Sequence, residues 1–128
     1  MVSRISTSTL QQMLAELRTL CASLPGAEEY VMVHHPAFRV GKKPFLIVGM
    51  KERDLGPTLS INLGRDEQAM LLSDERFVRT RYIGQHGWVT ICYEKLDFAE
   101  ATTLIIDSWR RIAGKRYLAA FESNRIVQ

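Results

Sequence analysis

His86 stands between two glycines, Gly84 and Gly87, in the run RYIGQHGWVTI (81–91), and Trp88 follows as an extended segment begins. An imidazole titrates near neutrality and can act as a general base. That work needs a nucleophile or an orienting carboxylate within reach, and the motif supplies neither. The plainer reading is a turn, with the glycines at positions of positive φ and the imidazole bonded locally. Trp88 is a candidate for base stacking, worth about 1–3 kcal/mol per base where it occurs. It is equally suited to packing or to an interface with another copy of the chain.

The remaining chemistry is cationic. Arg39, Lys42, Lys43, Arg79 and Arg81 fall on two extended regions and their turns. If about four of them met phosphates, binding would weaken roughly as the −3.6 power of salt. The bland alternative is a solvated hairpin surface. His34-His35 cannot chelate as a pair on a regular strand, where neighbours point to opposite faces. Cys21 lies on an apolar helical stripe, Cys92 is read as exposed, and neither has metal-ligand spacing. GKK (41–43) lacks the upstream glycine and the following Ser/Thr of a phosphate-binding loop, and no Ser-His-Asp arrangement occurs. No catalytic residue, metal or cofactor is therefore assigned, and a non-enzymatic role is expected.

Positioning falls to elements that the pattern makes legible. Residues 7–24 carry Leu10, Met13, Leu14, Leu17, Leu20, Cys21 and Leu24 at helical spacing, with Ser8 and Gln11 as a capping box and Pro25-Gly26 as the stop. Tyr30–His34 reads as a first strand, and 37–40 with 44–52 as a hairpin around GKK. TLSINLG (58–64) alternates, with Leu59, Ile61 and Leu63 inward and Ser60 and Asn62 outward, after a turn from Asp54 to Pro57. A short helix is expected in 65–77, then a second hairpin of 79–83 and 88–94. A last helix starts near Asp97 with an inner stripe of Ala101, Leu104, Ile105, Ser108, Trp109 and Ile112; Gly114 ends or kinks it, and KRYLAAFE adds a turn or two. On 88–94, Val89, Ile91 and Tyr93 form the core face, which sends Trp88, Thr90 and Cys92 to the other side. The order predicts a two-layer α+β domain: one antiparallel sheet, helices packed on one face, the other face open.

Composition sets the bounds. The 128 residues suffice for one domain, and 46% hydrophobic with 24% charged residues are ordinary globular values. The opening MVSRISTSTLQQMLAEL has no unbroken apolar run and no stretch is long enough to span a membrane, so a reduced, cytoplasmic protein is expected. The net charge of +3 arises wholly after residue 78: residues 79–128 hold eight Lys/Arg against five Asp/Glu, and residues 1–78 hold nine of each. Such a balance tolerates an acidic partner without demanding one.

LPGAEEYVMVHHPAFRVGKKPF (24–45) and YIGQHGWVTI (82–91), followed by a helix with an acidic start, resemble the MmcQ/YjbR family of small bacterial proteins. The similarity spans residues 8–115 of a single 1–128 domain, leaving 116–128 as a short extension. It implies a CyaY-like fold and DNA binding through a "double wing" of two hairpins. By position the first wing is Phe38, Arg39, Val40, Gly41, Lys42, Lys43 and Phe45; the second is Gly84, His86, Gly87 and Trp88. Many members have lysine where this chain has Gln85, so its second wing carries one cation fewer. The residues expected to contact nucleic acid or another ligand are thus Arg39, Lys42, Lys43, Arg79, Arg81, His86 and Trp88. The alternative is an interaction module that uses the same face for a protein, a second copy or a small acidic ligand.

Overall fold

A computed structural model describes residues 7–50 and 56–127. Among them, helix α1 (Thr7–Ala22) leads into strands β1 (Ala27–Met32), β2 (His35–Val40), β3 (Lys43–Val48) and β4 (Thr58–Asn62). Helix α2 (Gly64–Leu71), strands β5 (Phe77–Arg79) and β6 (Trp88–Cys92), and helices α3 (Phe98–Ala113) and α4 (Lys115–Val127) complete the order. The sheet runs β1-β2-β3-β4-β6-β5, antiparallel throughout. It is the α+β architecture the pattern predicts. The Ser8 cap side chain, residues 51–52 of the expected hairpin and residues 54–55 of the expected turn fall outside the described residues.

Period-two alternation assigns the main core. Leu46, Leu59, Ile61, Val89, Ile91 and Phe77 meet Met13 and Leu17 of α1 and Ile105 and Trp109 of α3. Asp97 and Glu100 form the capping box that starts α3. Arg76 binds Asp74 and Glu100 and donates to the Lys95 carbonyl, fastening the entry of β5 to that cap. The guanidinium beside them holds both carboxyls below their ordinary range. Burial pushes the Cys21 thiol up to about 12, as befits a core residue.

Several expectations shift. The first strand begins three residues earlier, at Ala27, which pairs with Val40, and ends at Met32 because Val33 and His34 both take positive φ (45° and 74°) and form the two-residue turn to β2. His34 therefore sits in a turn, not on a strand. The expected 79–83 strand is instead 77–79; beyond it the chain leaves the sheet. The C-terminal extension is a full helix that packs Phe121 on Trp109, ring centroids 5.1 Å apart.

The largest correction concerns the face expected to be open. Alternation does send Trp88, Thr90 and Cys92 away from the helices, but all three are buried there. Ala37, Ile47 and Trp88 form a second small core, closed over by Tyr30, Met32, Met50 and Ile83. Beside it run hydroxyls that bond one another: Ser60 to Thr90 at 2.7 Å and Thr80 to Thr90 at 2.9 Å. The indole is buried with Ala37 and Ile47, and the paired hydroxyls offset the cost of leaving water.

Candidate functional site

Register brings the two expected wing turns to one end of the sheet. Val40 pairs with Lys43, so Gly41 and Lys42 form the tip of the β2–β3 hairpin, with Gly41 at φ +61°. Antiparallel pairing puts the start of β3 beside the end of β4, and Asn62 there pairs with Trp88 at the start of β6. The Gly84–Gly87 turn thus lies two strands from the Lys42-Lys43 tip, about 10 Å at ordinary strand spacing.

The second turn is held by its carbonyls. Asn62 Nδ2 donates to the His86 carbonyl at 3.1 Å, and Arg65 Nε donates to that of Gln85 at 3.0 Å. Gln68 Nε2 donates to Gly84 at 2.7 Å and to Trp88 at 2.9 Å. Asn62 Oδ1 in turn accepts from the Gly64 amide that opens α2. Four carbonyls are thereby fixed by three side chains of the β4–α2 segment.

The glycines serve two different needs. Gly87 takes φ +101°, and a Cβ there would lie 2.9 Å from the Gly64 carbonyl carbon. Gly84 has no positive φ; it is small because the Arg79 stem crosses it, where a Cβ would meet Arg79 Cγ at 2.5 Å.

Packing of this turn against α2 opens a cleft of ≈ 670 Å³ lined by Leu63, Gly64, Arg65, Asp66, Glu67, His86 and Arg111. Arg111 arrives from the last turn of α3. One turn earlier, Ser108 Oγ donates to the Phe45 carbonyl at 2.7 Å and accepts from the Asn62 amide at 3.1 Å, stitching α3 to β3 and β4. The guanidinium lies across Gly64, whose missing Cβ leaves it room. Asp66 and Glu67 temper the cleft's positive charge.

The predicted residues separate into groups. Lys42 and Lys43 are exposed at the first tip, and His86 is exposed at the cleft. Arg79 is exposed with its stem on Gly84, and Arg81 is exposed in the loop after β5. Arg39 is already engaged: Nε donates to Glu28 at 3.0 Å and the guanidinium lies 4.3 Å from the Tyr30 ring centroid. Trp88 is 5% exposed, so its ring is not presented to a partner. Arg65 and Arg111 escaped the sequence reading; 46 positions separate them, and only the topology joins them.

The YjbR family model matches residues 22–111 of the 128. The chain belongs to the YjbR family. The match runs from the end of α1 to Arg111 and so includes both turns and the whole cleft. No curated protein matches this YjbR-family chain. No helix among its described residues is long and apolar enough to cross a membrane.

Proposed function

We propose that this YjbR-family domain binds nucleic acid through the sheet end that carries the two turns, with Lys42, Lys43, Arg65 and Arg111 meeting backbone phosphates and His86 beside them. One observation carries the reading: the register gathers cations from separate segments of the chain at a single end, two strands apart. Spread over about 10 Å, they suit a chain of phosphates better than one small anion. Of the residues expected from the sequence, Arg39 is left out because the Glu28 carboxylate neutralises it, Trp88 because it is buried, and Arg79 and Arg81 because they lie one strand further out, on the β5 side. The role is that of a binding module with no reaction assigned, and a cytoplasmic location goes with it.

A labelled DNA duplex in fluorescence anisotropy at 50 mM salt tests this. Saturable binding is expected, and Lys42→Glu/Lys43→Glu should weaken it at least tenfold while the thermal transition stays in place. Equal affinity in that variant would remove the first turn from the interface. A second reading, a small acidic ligand, draws on the cleft at Arg65, His86 and Arg111. It predicts that inorganic phosphate or a mononucleotide protects the protein thermally and that Lys42→Glu/Lys43→Glu leaves this protection intact.

A further inference from the structure

The loop between β5 and the Gly84 turn holds an aromatic ring in an unusual way. Tyr82 is 84% exposed, more than any other large hydrophobic among the described residues. Its φ is +68°, and the Ile83 amide bonds back to the Arg81 carbonyl at 2.7 Å. That is a three-residue γ-turn with positive φ at its centre, the rare and strained form, which glycine would occupy far more readily.

The strain persists because both flanks are pinned. Thr80 is buried, its amide bonded to the Trp88 carbonyl at 3.3 Å and its hydroxyl to Thr90. Ile83 packs under the second core beside Trp88, and Gly84 is locked against Arg79. Neither flank can relax, so the backbone at 82 is forced and the ring stands in solvent. Backbone strain held in place by its flanks, under an exposed aromatic ring that belongs to neither core, makes Tyr82 a candidate contact residue.

We propose that Tyr82 stacks on an unpaired base of bound nucleic acid, which makes single-stranded or frayed strands the preferred partner. The inference rests on the nucleic-acid reading above and deepens it. The loop leaves β5 at Arg79, opposite Val89, and rejoins the sheet at Trp88, so it hangs from the same end as Lys42, Lys43 and the Arg65–Arg111 cleft. The cations there recognise backbone, while a phenol ring accepts the π-face of any base. The stacking role first sought at Trp88 thus passes to Tyr82, whose loop is anchored through Ile83 to the core that holds the indole.

The test compares a labelled single strand with the same strand carrying abasic sites, using wild type, Tyr82→Phe and Tyr82→Gly in anisotropy and thermal melts. Wild type should prefer the base-bearing strand. Tyr82→Phe should stay within about twofold, because the ring is kept, and Tyr82→Gly should lose roughly 5- to 160-fold on the base-bearing strand. On the abasic strand the three proteins should bind alike. Tyr82→Gly should melt no lower than wild type, since glycine relieves the turn. Unchanged affinity in Tyr82→Gly overturns the stacking role and leaves the nucleic-acid reading standing. A lower melting temperature together with weaker binding to both strands makes the ring structural and also overturns it. Failure of wild type to bind either strand at 50 mM salt removes both readings.

Discussion

Trp88→Ala is expected to destabilise the fold by about 3–5 kcal/mol, the range of large aromatic truncations in a packed core. The indole is the largest member of the small core that also contains Ala37 and Ile47, on the sheet face away from the helices. Its removal leaves a void against Ala37 and Ile47. A chemical denaturation curve checks this, with a fall of roughly 10–20 °C in the thermal midpoint as its counterpart. Trp88→Phe should lose much less, since most of the volume stays. A loss below about 1 kcal/mol for the alanine variant would mean that this face is not a core and that the indole is free to meet a partner.

Gly87→Ala is the second large effect, expected to destabilise by about 2–4 kcal/mol. Two terms add. A non-glycine residue at φ +101° carries backbone strain of about 1–2 kcal/mol, and the new Cβ would press on the Gly64 backbone and Asn62 Oδ1, at 2.9 and 2.8 Å. Gly41→Ala separates the terms, because Gly41 has φ +61° but nothing within 4 Å of the place a methyl would take. It should lose only the strain, about 1–2 kcal/mol. Equal losses in the two variants, read from denaturation curves, would show that the second turn does not press on α2. That outcome would also remove the close packing that forms the Arg65–Arg111 cleft.

Much of this fold was legible because its periodicities are strong. The α1 stripe, the α3 stripe from Ala101 to Ile112 and the alternation in 58–62 and 88–92 each name their element and their buried face. What alternation could not say is whether the second face is wet. Ser60, Thr80 and Thr90 read as solvent-facing by type, yet they are buried because hydroxyls on adjacent strands satisfy one another. The same limit misplaced Trp88: its side of the sheet was readable, but the Ile83, Met50 and Met32 side chains that close over it come from elsewhere in the chain.

The site divides similarly. Lys42, Lys43 and His86 were found because turn residues announce themselves locally through glycine. Arg111 belongs to a basic cluster visible in the sequence, Arg110, Arg111, Lys115 and Arg116, but its meeting with Arg65 depends on α3 being stitched to β3 and β4 through Ser108. Arg39 looked like one more free cation; its Glu28 and Tyr30 partners become neighbours only once β1 pairs with β2. Tyr82 was hidden for the opposite reason. Read as part of a strand, its side chain belonged to a sheet face, and only the γ-turn lifts the ring into solvent.

The most direct test of nucleic-acid binding at this sheet end is the salt dependence of affinity for a single labelled strand, measured from about 50 to 200 mM salt. Four phosphate contacts on a single strand give a log–log slope of roughly −2.8, a weakening of about 50-fold over that range. Lys42→Glu/Lys43→Glu should flatten the slope by about 1.4, or roughly 0.7 for each contact removed. A slope near zero, or one that the double variant leaves unchanged, would contradict the account.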